Sequence, residues 1–272
     1  MTMPEMSRLL PVGIDIGSVT TKAVVLEGGD IRSSCVVMSS DTAEQSAREA
    51  VEKALSQTGI PFDGNLYTVA TGAGGKSVSF ARQNKAITTC LARASNLLLP
   101  SVRMLIDMGA ESLTVIKMNN RGKLTDWGNH DKCASGTGMF LQQMAGLMQM
   151  PIEEMAILSF QAKSPADVSS TCAVFAESEV ISHIHRMPPT PKEDIVAGIY
   201  LAMVHRILTL CKRLGIEPDV AVSGGVALNS GLVSILEEEA GIKTLQPANP
   251  HIMAALGAAV YAAEMIEKEQ TV

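Results

Sequence analysis

Apolar and polar positions alternate along the first hundred residues in a way that predicts an α/β protein. Short apolar runs predict strands at "VGIDIG", at "LYTVA" and on both sides of the hairpin signal at residues 28–29. Helical spacing predicts a first helix over residues 42–58, with Gly59 just past its end, and a second over residues 87–99.

The same order of elements then begins again. Strand patterns return at "VRMLIDMG", "SLTVIKM" and "KLTDWGN", and a later strand and glycine loop follow at "DVAVSGGVA". Gly215 is the predicted cap of the longest helix. The helices predicted in this part span residues 134–150, 151–160, 172–186, 191–214, 228–240 and 250–267.

The segments "VGIDIGSVTTKAVVLEGGDI" and "MLIDMGAESLTVIKMNNRGK" share one plan. Each is an apolar strand, an Asp-x-Gly turn, a second strand and a hairpin. Two copies of one βββ unit imply two similar α/β domains that face each other with a ligand in the cleft between them. We place the first domain at residues 10–99 plus 250–268 and the second at residues 100–249.

Composition narrows the classes of function. The net charge is −6 and there is no long basic run, so nucleic acid is not an expected partner. The first residues have too short an apolar core for a signal peptide, and no membrane span is expected. The five cysteines are an odd, widely spaced set, which favours the reducing cytosol over a disulfide framework.

The two Asp-x-Gly turns are candidate phosphate loops. In "GIDIGSVTTK" and "LIDMGAES", Asp15 and Asp107 end a strand before a glycine turn, and such turns expose N–H groups that can hold phosphate. We expect the two carboxylates to face each other across the cleft and to hold Mg²⁺ mostly through water. The alternative is two ordinary aspartates between strand and turn.

Two further glycine segments could contact a nucleotide. In "VAVSGGVALNSGL", Gly224 and Gly225 lie between a strand and a helix start, where an adenosine could approach the backbone. In "ATGAGGKS", residues 70–77 nearly match a P-loop, with Ala70 in place of the first glycine. The P-loop alternative leaves the duplicated Asp-x-Gly turns unexplained.

Cys133 in "HDKCASGTGMF" and Cys172 in "SSTCAVFAESEV" each come before a predicted helix. A helix N-terminus favours thiolate, so each could be a reactive thiol, a metal ligand or a buried structural cysteine. A [4Fe–4S] cluster takes four thiolates, which a symmetric dimer would supply from two cysteines per chain. Cys35, Cys90 and Cys211 lie in apolar patterns and are predicted core residues.

The polar residues of the helix after Cys172 have simpler interpretations. Glu177 and Glu179 are interpreted as part of a solvated face. His183 and His185 are two residues apart on a helix and cannot share a face, so they do not predict a metal site.

The order of the Asp-x-Gly loops, "KCASGTG", "TCAVFAESEVI", "SGGVALN" and "NPHIMAALGAA" resembles the BadF/BadG/BcrA/BcrD-type ATPase family over nearly the whole chain. This family comprises activators of 2-hydroxyacyl-CoA dehydratases and ATPase subunits of benzoyl-CoA reductase. The resemblance implies an α/β, duplicated actin-like fold, of the kind shared by sugar kinases, heat-shock chaperones and actin, with a nucleotide cleft between its two domains.

The resemblance also implies a function. Members are dimers that hold one [4Fe–4S] cluster between their subunits, bind ATP and Mg²⁺, and take an electron from ferredoxin or flavodoxin. They pass it at low potential to an enzyme that reduces or dehydrates a CoA ester. Cys133 and Cys172 match the cluster ligands, and Asp15 and Asp107 match the catalytic carboxylates. The other matched residues are Gly17, Ser18, Thr20, Thr21 and Lys22 in the first loop, Gly109 in the second, and Gly224, Gly225 and Asn229 in the adenosine loop.

The chain departs from the family pattern in its second loop. The usual Asp-x-Gly-Gly-Gln-Asp-x-Lys is here "DMGAESLT", so an acidic residue and a lysine are absent. The usual Thr-Cys-His-Ala is "TCLA", with Leu91 in place of histidine. Both changes suit one of two unlike ATPase subunits. A cluster-free kinase or phosphotransferase on the same fold, and a non-enzymatic dimer partner, are the alternatives.

Overall fold

The computed structural model of the protein describes residues 9–62, 65–130 and 137–271. The chain divides into two compact units. The first contains Met1–Pro100, Asn120–Leu124 and His251–Val272, and the second contains Ser101–Asn119 and Thr125–Pro250.

The described residues form strands and helices that follow the predicted order. The strands are β1 (Leu10–Ile16), β2 (Thr20–Glu27), β3 (Asp30–Met38), β4 (Leu66–Gly72), β5 (Gln83–Asn84), β6 (Met104–Met108), β7 (Leu113–Met118), β8 (Leu124–His130), β9 (Val220–Ser223) and β10 (Thr244–Leu245). The α-helices are α1 (Ala43–Ser56), α2 (Ile87–Leu98), α3 (Gly138–Met148), α4 (Ile152–Ser159), α5 (Ala173–His185), α6 (Lys192–Leu214), α7 (Ser230–Ala240) and α8 (Met253–Thr271). Short 3₁₀ turns lie at Gly75–Ser77, Gly225–Leu228 and Pro250–Ile252.

The two sheets have the same topology. The first has the order β3-β2-β1-β4-β5 and the second, read in the matching direction, β8-β7-β6-β9-β10. In each, the first strand pairs antiparallel with the second strand and parallel with the strand that returns after a helix. The duplication predicted from the two Asp-x-Gly segments is therefore confirmed.

Helices cover both faces of the first sheet. Alternate residues of β1 point to opposite faces, and its buried Val12 and Ile14 belong to the same apolar cluster as the α1 residues Ala47 and Val51. On the other face, α8 crosses so closely over Gly13 that a β-carbon there would overlap the α8 backbone.

A second close crossing explains one cysteine. A β-carbon at Gly257 of α8 would overlap the carbonyl group of Cys90 on α2. Because α2 and α8 touch at this point, Cys90 is fully buried. Burial raises the pKa of the Cys90 thiol to about 12, so it is a structural cysteine, as predicted.

The core of the second unit is built around α6. This helix carries the buried Tyr200, Met203 and Ile207, which pack with residues of α3, α4, α7 and the sheet. By length and composition α6 could cross a membrane, but 78% of its apolar window is buried inside the protein. That degree of burial is typical of the central helix of a soluble domain.

The predicted boundaries are close to the observed ones, with informative exceptions. The two-residue edge strands β5 and β10 carry too little pattern to be predicted. Cys35 was predicted to be a core residue, but it lies on β3 at the sheet edge and is only partly buried. Thr42 caps α1 as predicted, with its hydroxyl oxygen accepting from the Gln45 N–H at 3.2 Å.

Candidate functional site

The first Asp-x-Gly loop is a four-residue turn between β1 and β2. The Gly17 N–H donates to the Thr20 carbonyl at 3.1 Å and closes the turn. Ser39, just after β3, supports it, because its hydroxyl donates to the Gly17 carbonyl at 2.8 Å and its N–H to the Val19 carbonyl at 2.9 Å. Ser18 is left exposed at the tip of the turn.

Asp15 and Lys22 face each other across this turn. They are directly paired in the β1–β2 register, and Lys22 Nζ lies 3.4 Å from Asp15 Oδ2. Their side chains are only 12% and 10% exposed, so water screens this ion pair weakly. Lys22 Nζ also donates to the Thr20 carbonyl at 3.2 Å, which ties its charge to the turn.

Thr21 differs from its neighbours in the loop. It is fully buried, and its hydroxyl lies 3.0 Å from the Ser39 hydroxyl. A side chain engaged in this way supports the loop from below, whereas Ser18 and Thr20 remain accessible.

His251 lies in the same electrostatic environment. It precedes α8 in the "NPH" segment, and its pKa is lowered from 6.5 mainly by burial and further by the positive charge of Lys22, while Asp15 acts in the opposite direction. The neutral imidazole is therefore favoured next to the Asp15–Lys22 pair.

The second Asp-x-Gly loop has the same backbone but a different partner for its aspartate. The Gly109 N–H donates to the Ser112 carbonyl at 2.8 Å, which is the equivalent of the Gly17 turn. Thr114 holds the position opposite Asp107 that Lys22 holds opposite Asp15. The buried Asp107 Oδ1 instead accepts from the Ser223 hydroxyl at 2.6 Å.

The second loop is joined to the start of α3. The Gly138 N–H donates to the Gly109 carbonyl and the Met139 N–H to the Ala110 carbonyl, both at 2.9 Å. The sequence predicted a helix from residue 134, whereas α3 begins at Gly138. Cys133, the predicted ligand before this helix, lies outside the described residues.

The adenosine loop predicted at "SGGVALN" lies against the second Asp-x-Gly loop. Gly224 has φ 86°, and a β-carbon there would overlap the Met108 carbonyl group, so only glycine fits. Gly225 opens a 3₁₀ turn rather than the α-helix itself. Asn229 caps α7 by accepting from the Leu232 N–H at 3.0 Å, and its amide donates to the Tyr200 hydroxyl at 2.7 Å.

The near P-loop segment is not followed directly by the α-helix that a P-loop requires. The first three residues of the 70–77 segment are the end of β4, and the segment then forms the three-residue 3₁₀ turn Gly75–Ser77 and not an α-helix. A P-loop depends on a helix N-terminus next to its lysine. The next α-helix, α2, begins only at Ile87, and Lys76 is exposed.

Cys172 lies at the start of α5, as predicted, and it is the N-cap residue of that helix. It is partly buried, and its side chain makes no capping hydrogen bond. The first bond of α5 runs from the Ala176 N–H to the Cys172 carbonyl at 3.0 Å. The N–H groups of the first turn, which directly follow Cys172 in the chain, have no acceptor within the helix. Cys211 is a buried core residue, as predicted, and burial raises the pKa of its thiol to about 12.

The two glutamates of α5, interpreted as part of a solvated face, are partly exposed, and each accepts a hydrogen bond. The Glu179 carboxylate accepts from the Ser169 N–H at 2.6 Å, and the Glu177 carboxylate accepts from the Gln143 amide of α3 at 2.9 Å. Both therefore hold neighbouring segments in place. His183 is likewise engaged, with the Thr190 hydroxyl at 3.0 Å and the Asp167 carbonyl at 3.1 Å.

We searched the described part of the chain for groups of side chains that could bind a metal ion. Within it, no three His, Cys, Asp or Glu side chains come together as a potential metal site.

Residues 12–262 match the sequence profile of the BadF/BadG/BcrA/BcrD ATPase family. The chain belongs to this family. It is 37% identical to the 2-hydroxyisocaproyl-CoA dehydratase activator of Clostridioides difficile over 95% of its own length and 97% of the activator. It is 32% identical to one of the subunits of benzoyl-CoA reductase from Thauera aromatica, with 95% of each chain covered.

A solved structure extends the comparison to the fold. The activator of 2-hydroxyisocaproyl-CoA dehydratase from Clostridium difficile, with bound ADPNP, superimposes with a TM-score of 0.90, 37% identity and 97% coverage of both chains. The fold of the present family member is the duplicated actin-like fold, as predicted.

Sequence reasoning missed four residues that shape these loops. Ser39 and Ser223 support the first and second Asp-x-Gly loops, the charges of Lys22 and Asp15 act on the pKa of His251, and Tyr200 holds Asn229. Ser223 directly precedes the glycine pair and His251 lies in the segment "NPHIMAALGAA", so local sequence carries a signal for both. Ser39 and Tyr200 become visible only through the folded contacts.

Proposed function

We propose that the protein is an ATP-dependent electron activase, which uses ATP hydrolysis to deliver a low-potential electron through a [4Fe–4S] cluster to a CoA-ester reductase or dehydratase. The observation that carries the proposal is Cys172, a partly buried thiol at the N-cap of α5, within a member of this ATPase family. The names of its relatives, activators of CoA-ester dehydratases and one of the subunits of benzoyl-CoA reductase, support the same role.

In the first unit we assign nucleotide contacts to the Asp15 loop. Ser18 and Thr20 present accessible groups on a turn fixed by Ser39, and Gly17 lets the turn close tightly. Lys22 supplies a weakly screened positive charge that suits a phosphate. Asp15 is the candidate Mg²⁺ residue, acting mostly through water because Mg²⁺ gives up its hydration reluctantly. Thr21 supports the loop through Ser39.

In the second unit we assign contacts to the Asp107 loop and the glycine loop beside it. Asp107 and Gly109 occupy the positions equivalent to Asp15 and Gly17 in the same turn geometry. Gly224 and Gly225 offer backbone without side chains to an adenosine, and Asn229 fixes the following helix. Ser223 holds the Asp107 carboxylate in one orientation.

The chemistry around Cys172 fits an anionic iron–sulfur cluster. Thiolate is the ligand such clusters use, and hydrogen-bond donors near the sulfurs make reduction easier. The N-terminal N–H groups of α5 supply donors and partial positive charge next to the thiol. Cys172 and Cys133 would hold the cluster together with the same residues of a second chain, and the cluster would carry the transferred electron.

The partners follow from this role. A second copy or a related ATPase subunit would complete the cluster ligands, with one cluster per dimer. The electron donor would be ferredoxin or flavodoxin, and the acceptor a CoA-ester reductase or dehydratase component. We place the protein in the cytosol, without a membrane or nucleic-acid partner.

The test is iron and acid-labile sulfide per chain after anaerobic purification, for wild type and for Cys172→Ser. We expect about two irons per chain in wild type, as one cluster shared by a dimer requires, and loss of nearly all of it in Cys172→Ser. Cys35→Ser, a substitution of the partly buried cysteine on β3, is the matched control and should keep its iron. A Cys172→Ser protein with a full cluster would contradict the assignment. A colourless wild-type protein that phosphorylates a small substrate would instead indicate a phosphotransferase.

A further inference from the structure

The residues just before Cys172 are held by two helices. Arg206 of α6 donates from Nη1 to the Ser170 carbonyl at 2.9 Å and to the Thr171 carbonyl at 3.0 Å. From α5, the Glu179 carboxylate accepts from the Ser169 N–H at 2.6 Å. The segment of residues 169–171 is therefore fixed by two side chains, and the Arg206 guanidinium binds its last two carbonyl oxygens.

This contact acts on the peptide bond between Thr171 and Cys172. The bond is trans, so the Cys172 N–H points away from the carbonyl that Arg206 binds. A positive charge on the carbonyl oxygen polarises the amide, and hydrogen bonds in such a chain strengthen one another. The Cys172 N–H thereby becomes a stronger donor at the end of α5 where the thiol lies.

Arg206 has further donor capacity. Its Nε is buried, and no acceptor for it is found among residues 9–62, 65–130 and 137–271. A buried donor without a protein partner is uncommon in folded proteins. A guanidinium keeps its charge at any physiological pH, so it adds fixed positive charge next to the cysteine segment.

We propose that Arg206 is a positioning residue for Cys172: it fixes the 170–171 peptides and polarises the Cys172 amide toward an anionic cluster. The inference rests on the proposed function, because it assigns Arg206 a role only if Cys172 binds a cluster. A purely architectural arginine would hold α5 and α6 together without influencing the redox properties of what Cys172 holds.

The experiment compares wild type with Arg206→Gln, Arg206→Lys and Lys212→Gln, where Lys212 is exposed on the same helix. Hydrogen exchange of the 169–176 amides is measured on the iron-free full chain, and the midpoint potential on the reconstituted protein. We expect exchange at least about fivefold faster in Arg206→Gln, from the loss of two bonds to a charged donor. In Arg206→Gln we also expect the equilibrium constant for cluster reduction to fall about tenfold, which lowers the midpoint potential by about 59 mV for one electron.

The controls separate charge from folding. Arg206→Lys keeps the charge and should recover most of the potential, and Lys212→Gln should match wild type in both measurements. Unchanged exchange and unchanged potential in Arg206→Gln would overturn the inference, as would faster exchange with an unchanged potential. If Arg206→Gln does not fold, failure of Arg206→Lys to hold a wild-type potential overturns it as well. A wild-type chain that never takes up iron contradicts the proposed function itself, and the inference about the cluster is then overturned with it.

Discussion

The two Asp-x-Gly loops share a backbone and differ in how their aspartates are held. Both are four-residue turns closed by the same glycine N–H bond, on strands of the same topology. Asp15 is paired with Lys22, whereas Asp107 faces Thr114 and binds the Ser223 hydroxyl. The first loop therefore brings its own cation, and the second orients its carboxylate with a neutral donor.

This difference predicts that the two duplicated loops contribute unequally to phosphate binding. A lysine near phosphate adds attraction that a threonine lacks, so we expect the first unit to supply most of the electrostatic binding of the phosphates. The second loop is instead bonded through Gly109 and Ala110 to the start of α3, the helix that follows the Cys133 segment. The second loop is therefore fixed to a helix of its own unit through two backbone hydrogen bonds.

The largest expected effect comes from making the first loop resemble the second. Lys22→Thr removes the charge next to Asp15, and we expect ATPase kcat/KM to fall by about 10²-fold, in the range for a lost electrostatic contact. Circular dichroism checks that the variant is folded.

Lys76→Thr is the matched control, because Lys76 is an exposed lysine of the same unit in the near P-loop segment. It should stay within about twofold of wild type, since its segment lacks the helix that a P-loop uses. The reverse order of the two effects would revive the P-loop interpretation.

The next effect concerns the backbone of the second unit. Gly224→Ala places a β-carbon against the Met108 carbonyl at φ 86°, so we expect a loss of about 3 kcal/mol in the free energy of unfolding. Gly241→Ala also has a positive φ, 65°, but nothing lies within 4 Å, so about 1 kcal/mol is expected. Urea unfolding of both variants measures the difference. Equal losses would show that Gly224 matters only for its dihedral angles and not for its contact with the second loop.

The smallest effect is the pH dependence that His251 adds to the first unit. The pKa of His251 in the folded protein lies below the ordinary 6.5, so at mildly acidic pH the imidazole is protonated more fully in the unfolded chain than in the folded one. The stability present above pH 6.5 is therefore lost as the pH falls toward the folded pKa. His251→Gln should lose less stability than wild type between pH 7.5 and pH 5.5 in urea unfolding. Parallel losses in the two proteins would show that His251 does not contribute to the pH dependence of stability.

Much of the fold was predictable because its signals are local. The repeated strand, Asp-x-Gly and strand pattern identified the duplicated units, and Thr42 and Gly215 marked helix ends through their capping chemistry. The position of Cys172 at the start of α5 followed from the same kind of local signal. The predictions failed for segments whose pattern is short, such as β5 and β10, for the start of α3, and for Cys35, whose partial burial on an edge strand depends on non-local contacts.

The sequence by itself determined which residue types stand at each turn. Among them are Thr114, which stands where the family pattern has a lysine, and Cys172, which stands at the start of a helix. Only the tertiary structure decided what those residues touch: Ser39 beneath the first loop, Ser223 on Asp107, and Arg206 on the peptides before Cys172. The physical reason is range. Caps, turns and strand alternation depend on residues a few positions apart, whereas these hydrogen bonds join segments that the chain brings together only when it folds.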